Sequence, residues 1–234
     1  RPTAIFVGFI GSLFDTQELT HELGHGVHFT QRSLAQDARV FHTAAIDEVL
    51  PDLMERVVWD QMAKLPVQNV NPLEQVRDNL ASIIITSAMA HEFHDAAFKL
   101  CSQKVPWNSD QLDKVWGKLQ EQYYGVTPTI EQTRMWRGTD IIASEPFNTL
   151  PYIYAQLVSE VMWKEHQADP EGFAGKLSEF LKEGSARTPA ELLKRFGYNT
   201  SDPNFWSSGF GDLHAATREM RERAPKGAEG SQLG

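Results

Sequence analysis

Two histidines and a glutamate stand in the stretch His21-Glu22-Leu23-Gly24-His25 with the spacing of a metal-dependent hydrolase. Residues four apart lie on one face of an α-helix, so His21 and His25 can bind the same metal ion. Glu22 lies about 100° further round the helix, where its carboxylate can reach water at the metal without binding the metal itself. The pattern therefore predicts a zinc site with Glu22 as the general base.

Two glycines, Gly24 and Gly26, interrupt the helix that carries this stretch. Each costs up to ~1 kcal/mol relative to alanine, so their presence predicts close approach by another backbone or by a ligand. The alternative is a chance occurrence of the pattern on a solvated helix. A third ligand would argue against chance, and the following segment 44–55 offers the acidic candidates Asp47, Glu48, Asp52 and Glu55.

The sequence resembles the zinc metallopeptidases that include oligoendopeptidase F, thimet oligopeptidase and mitochondrial intermediate peptidase. Members carry His-Glu-x-Gly-His-x-x-His, followed by a second helix with two glutamates seven residues apart. The matching residues here are His21, Glu22, Gly24, His25 and His28, then Glu48 and Glu55. The resemblance implies one zinc ion held by His21, His25 and Glu48, with Glu55 and His28 supporting the ligands. Asp52 is expected to lie on a solvated acidic face.

Family members also have an aromatic segment that brings a histidine and tyrosines over the metal. Tyr152 and Tyr154 match tyrosines of that segment, and Tyr154 is the better candidate for stabilising the oxyanion. Ordinary half-buried packing is the alternative for both. Phe147 stands where members usually have tyrosine, and Ser144 or Ile142 stands in place of the histidine. Loss of one oxyanion donor typically costs ~10²–10³ in rate.

Three functions follow from these residues. The first is a zinc oligopeptidase that hydrolyses short peptides, with Glu22 as base and Tyr154 at the oxyanion. The second keeps the zinc as a Lewis acid acting on a small molecule, because the missing histidine and tyrosine belong to peptide chemistry. The third is a non-catalytic binding module, which the presence of Glu22 disfavours.

The elements that position these residues are predicted to be helices almost throughout. Apolar residues recur with helical period after residue 15, while residues 4–10 have the pattern of a strand. Further helices are predicted over 44–64 and 73–101, and Asp15 with Glu18 is expected to cap the zinc helix. The expected fold is mainly α: a helical zincin-type catalytic lobe with a short N-terminal strand, lacking the N-terminal lobe of the family.

The resemblance also predicts the domain organisation. Residues 1–223 would form the C-terminal part of a zinc metallopeptidase catalytic domain, and the polar residues 224–234 a disordered tail. A second polypeptide would supply the N-terminal lobe. Gly8 and Gly11 would present an edge with which an extended substrate pairs.

Composition excludes several classes of partner. A net charge of −9 argues against nucleic acid and anionic membranes. Neither a membrane-spanning apolar run nor a leader is visible, so an intracellular location, cytoplasmic or mitochondrial, is expected. The single cysteine, Cys101, is expected to be buried. The pair His91 and His94 can bind metal in principle, but a structural or surface role is predicted for it.

Overall fold

Helices account for most of the architecture. The computed structural model describes residues 4–34, 43–62, 64, 72–103, 106–139, 142, 144–183 and 187–211, without the side chains of Leu13 and residues 72–80. The helices are α1 Leu13–Leu34, α2 Ala44–Asp47, α3 Val49–Met62, α4 Pro72–Ser102, α5 Ser109–Tyr124, α6 Ile130–Thr133, α7 Leu150–Ala168, α8 Pro170–Lys182, α9 Pro189–Arg195 and α10 Pro203–Gly209, with a 3₁₀ turn over Met135–Gly138. None of the described helices combines the length and apolar character needed to cross a bilayer.

The strand predicted over residues 4–10 is not formed. Residues 4–9 have no regular secondary structure, because no strand within the described ranges lies beside them to pair with. Gly8 and Gly11 are both exposed in this segment, and Gly11 has a φ of +89°. The predicted tail, residues 224–234, lies outside the described residues.

α1, which carries His21 and His25, begins one turn earlier than predicted, and its cap is Ser12 rather than Asp15. The Asp15 N–H donates to Ser12 Oγ at 3.1 Å, and the Ser12 N–H donates to Asp15 Oδ2 at 2.7 Å. Asp15 is thus at the N3 position of a capping box and not at its N-cap. At later helices Asn108 and Thr188 are the caps, because their side chains accept from the backbone N–H groups of Gln111 and Glu191 respectively.

The second predicted helix is divided in two at Glu48. α2 ends at Asp47 and α3 begins at Val49, while the Asp52 N–H still donates to the Glu48 carbonyl at 3.1 Å. α3 packs directly against α1. A Cβ built on Gly24 would lie 2.5 Å from Pro51 Cα, so the absence of a side chain at Gly24 is what allows the two backbones to approach.

Substitution of Gly24 by alanine should therefore push α1 away from α3. We expect a loss of about 1–3 kcal/mol in the free energy of unfolding, because overpacking outweighs the helix propensity gained. Gly175→Ala is the matched control, since no atom lies within 4 Å of its added Cβ. Denaturant unfolding measures both variants, and equal stability of Gly24→Ala and the parent protein would contradict the close approach.

Two hydrophobic cores support the site, and α7 contacts helices of both. The first joins α2, α3, α7, α8 and α9, and the second joins α4, α5 and Ile142. α7 packs against α3 and α4. Cys101 is exposed, contrary to the prediction, although its neighbour Leu100 packs against the second core.

Candidate metal centre and its cleft

The contact between α1 and α3 brings His21, His25 and Glu48 together. Each offers one ligand atom, and these atoms lie within 4.8 Å of one another. Glu48 Oε2 is 3.0 Å from His21 Nε2 and 3.5 Å from His25 Nε2. Two imidazole nitrogens and one carboxylate oxygen are a standard donor set for zinc in hydrolases, so the residues fit that metal.

A second carboxylate fixes the orientation of the His21 ring. Glu55 Oε1 accepts from His21 Nδ1 at 2.7 Å, and Glu55 Oε2 accepts from the Gln17 side-chain amide. With Nδ1 engaged by Glu55, the Nε2 atom of His21 is directed towards Glu48. Glu55 therefore lies where a residue that supports a ligand must lie.

The charges of the group shift two pKa values in opposite directions. Burial alone would lower the pKa of His21, but hydrogen bonds to Glu48 and Glu55 outweigh it and raise the pKa to about 10. Burial alone would raise the pKa of Glu48, but hydrogen bonds from His21 and His25 lower it to about 2. The mutual hydrogen bonds therefore favour the charged form of each group.

Asp52 is buried beside this group, which corrects the prediction of a solvated position. Its side chain faces His21 Nδ1 at 3.8 Å, and α3 turns this face inward because it packs between α1 and α7. Burial, then the negative charge of Glu55, raises the pKa of Asp52 well above its ordinary value. Together with His21 and Glu55 it forms a second group with metal-ligand spacing.

The remaining predicted residues of the zinc motif lie on the same helix. Glu22 follows His21 directly in the sequence, and its side chain is partly buried. His28 is fully buried, with Nδ1 3.9 Å from Asp47 Oδ1 and its ring against Phe29. Gly8 and Gly11 lie in the irregular segment before α1. A Cβ added to either would have no atom within 4 Å.

A cleft of about 400 Å³ opens beside His21. Its walls come from α1, α3, α4 and α7, and its exposed surface is mainly apolar. His21, Glu55, Ile83, Ile142, Thr149 and Tyr152 are among the residues that line it. Burial, then the charges of Glu48 and Glu145, raises the pKa of Tyr152, so its phenol stays protonated and can donate.

The two predicted tyrosines point to different surroundings. Tyr152 lines the cleft, whereas Tyr154 packs against the first core with its ring 5.2 Å from that of Trp206. Residues two apart on a helix are separated by about 200°, so only one of the pair can face the metal group.

The positions at which the resemblance leads us to expect a histidine and a tyrosine offer no such group. Ile142 is buried in the second core, and Ser144 is exposed. The Phe147 ring lies against those of His91, His94 and Phe98.

Three features of the site escaped the sequence analysis. Gln17, which holds Glu55, stands four residues before His21 and so shares its helix face. Glu48, Asp52 and Glu55 have a spacing of four and then three, which places Asp52 and Glu55 on the face of α3 that continues from Glu48, the residue just before the helix. No comparable sequence pattern indicates that Ile142 and Thr149 line the cleft.

Comparison with known proteins now gives these features a context. The model of "Peptidase family M3" matches residues 4–212. An oligoendopeptidase F homolog of Mycoplasma pneumoniae is 23% identical over 226 residues, covering 89% of this chain and 37% of that protein. The chromosomal oligoendopeptidase F of Lactococcus lactis subsp. cremoris is 20% identical, covering 93% of this chain and 37% of its own length.

Solved structures agree in fold. The crystal structure of oligoendopeptidase-F from Enterococcus faecium superposes with a TM-score of 0.66 at 18% identity, covering 90% of this chain and 40% of that one. The chain spans about 37% of the length of the curated relatives it matches, so it resembles one part of a larger protein. Because the family model matches nearly the whole chain, both helices of the metal-ligand group included, this chain is a member of peptidase family M3.

Proposed function

We propose that this chain is the zinc-binding catalytic part of a metallo-oligopeptidase that hydrolyses short peptides. The observation that carries the proposal is the convergence of His21, His25 and Glu48 within 4.8 Å, with Glu22 between the two histidines in sequence. A structural zinc site has no need of that glutamate, whereas hydrolysis needs a base that does not bind the metal.

His21, His25 and Glu48 would hold the zinc ion. Bound there, zinc lowers the pKa of water and polarises a carbonyl group. The chain's own residues then have separate tasks. Glu22 takes a proton from the attacking water, and Glu55 with Gln17 keeps the His21 ring in the orientation that leaves Nε2 for the metal.

The phenol of Tyr152 is the group we assign to the developing oxyanion. It lines the same cleft as His21, and its raised pKa keeps the hydroxyl proton in place for donation. The largely apolar cleft would receive part of the peptide and exclude water around the scissile bond.

A second function is favoured by the replaced residues at 142–147. With Ile142 buried and Phe147 packed among aromatic rings, the cleft lacks an imidazole and a phenol of the family pattern. Zinc at the same ligands would then serve as a Lewis acid for a small molecule. Incubation with a peptide library separates the two functions, because rapid cleavage of many sequences would reject the second.

Removal and return of the metal test the zinc site directly. Chelation should abolish peptide cleavage, and zinc should restore it. The apparent zinc affinity should rise by about tenfold per pH unit between pH 6 and 9, because zinc must displace the proton that His21 holds up to a pKa of about 10. Calorimetry in buffers of different ionisation enthalpy measures the released proton, and an affinity independent of pH would contradict the assigned ligand.

We further propose that a second polypeptide segment, the N-terminal lobe, covers one face of this chain. Apolar side chains are exposed before α1 and along it: Phe6, Phe9, Ile10, Phe14, Leu19, Leu23, Val27 and Leu34. Exposed apolar surface of this kind marks an interface. We expect the covered area to be well above ~2,000 Å², as in obligate complexes.

Light scattering on the purified chain tests this proposal. The chain should associate with itself or with a copurifying polypeptide, and Leu19→Glu should weaken that association. Ile130→Glu, at an exposed apolar position of α6 away from this face, is the control. A stable monomer that cleaves peptides at full rate would refute the covered face.

A further inference from the structure

His94 uses both of its ring nitrogens on the backbone of the cleft wall. It is buried on α4, its Nε2 lies 2.7 Å from the Ile142 carbonyl oxygen, and its Nδ1 lies 3.1 Å from the Phe147 amide nitrogen. A carbonyl can only accept and an amide N–H can only donate. His94 is therefore neutral, protonated at Nε2, and has no lone pair left for a metal ion.

The turn that His94 holds is conformationally strained. Phe147 has a φ of +66°, in the left-handed region that bulky residues rarely adopt. Its ring packs against those of His91, His94 and Phe98 at centroid distances of 5.2–5.4 Å. Such a conformation persists only where the surroundings enforce it, and the Nδ1 bond is the polar contact that does so.

This turn carries part of the cleft. Ile142 lies before it and Thr149 at its end, and both line the cleft, as does Tyr152 in the first turn of α7. Thr149 Oγ1 donates to the Ser87 carbonyl of α4 at 3.2 Å, so a further hydrogen bond joins this turn to α4. A shift of the turn would move both wall residues relative to His21.

We propose that His94 is a positioning residue for the substrate cleft, acting through the backbone of Ile142 and Phe147. The inference rests on the proposed function in that the cleft receives peptide. His94 has no contact with the metal-ligand group, so its effect is on the shape of the peptide-binding wall and not on zinc or on Glu22.

Three substitutions separate the two hydrogen bonds. His94→Phe keeps the ring and removes both bonds. His94→Asn retains an acceptor where Nδ1 stands, and His94→Gln retains a donor where Nε2 stands. The matched control is His166→Phe, because His166 on α7 packs against Trp163 of the same helix and Phe173 of α8, and it does not line the cleft.

Steady-state kinetics on peptides and zinc content are the first readouts. His94→Phe should raise KM on the order of tenfold, while kcat and zinc content stay within about twofold of the parent protein. His94→Asn and His94→Gln should each recover part of the loss, and His166→Phe should leave KM unchanged. An unchanged KM in His94→Phe, or a parallel fall of kcat and zinc content, overturns the proposal.

Nuclear magnetic resonance tests the two hydrogen bonds of His94 without any substrate. The ¹⁵N shifts of His94 should report the Nε2–H tautomer, and the Phe147 amide should exchange at least about tenfold more slowly in the parent protein than in His94→Phe. An Nδ1–H tautomer or an unprotected Phe147 amide overturns the inference, whether or not peptides are cleaved. Absence of cleavage while both His94 hydrogen bonds are intact counts against the proposed function alone.

Discussion

Replacement of Glu22 by glutamine is expected to reduce peptide turnover by about 10²–10⁴-fold while the protein keeps its zinc. Glutamine has nearly the size of glutamate, so α1 and its ligands should stay in place. What glutamine lacks is the basic carboxylate that takes the proton from water. The loss should therefore appear in kcat, with a much smaller change in KM.

Zinc content, the unfolding midpoint and peptide kinetics measured on one preparation check this prediction. Glu18→Gln is the matched control, because it makes the same chemical change on the same helix outside the metal-ligand group. Full turnover by Glu22→Gln would reject the mechanism. Loss of turnover accompanied by loss of zinc would show instead that Glu22 maintains the site.

Local features of this fold could be predicted because their causes lie within a few residues. Asn108 and Thr188 cap their helices through the residue three positions later, so the signal and the bond occupy the same short stretch. The first helix was harder, since both Ser12 and Asp15 can cap and only the reciprocal bonds decide between them.

Features that depend on distant partners were not predictable in this way. A strand needs a neighbour, and residues 4–9 have none among the described ranges. Burial of Asp52 depends on α7 closing over α3, so its spacing from Glu48 and Glu55 indicates which face it shares but not that this face is buried. Cys101 is exposed although its neighbour Leu100 packs against the second core, so an apolar neighbour in the sequence does not predict its burial.

The group of His21, His25 and Glu48 depends both on a local pattern and on a distant partner. The spacing of His21 and His25 is a local signal, whereas Glu48 lies at the junction of α2 and α3 and is identified only through a family resemblance. Gly24 links the two, because its missing side chain lets Pro51 and the start of α3 approach. The sequence shows the glycine but does not identify Pro51 as the residue that approaches it.

The choice between Tyr152 and Tyr154 leads to the second large expected effect. Tyr152→Phe should lower kcat by about 10²–10³-fold if its phenol donates to the oxyanion, because that contact exists only while negative charge develops. Tyr154→Phe removes the same atom from a side chain packed against Trp206 and the first core, so its effect on kcat should be small.

The pair is its own control, since both variants make an identical change two residues apart on α7. Burial raises the pKa of both phenols, so the two are protonated at neutral pH and differ in location rather than in charge. Kinetics on one peptide with each variant provide the measurement. A large loss in Tyr154→Phe with full activity in Tyr152→Phe would reverse the assignment, and it would require α7 to rotate by about 160° relative to α1 when substrate binds, given ~100° per residue.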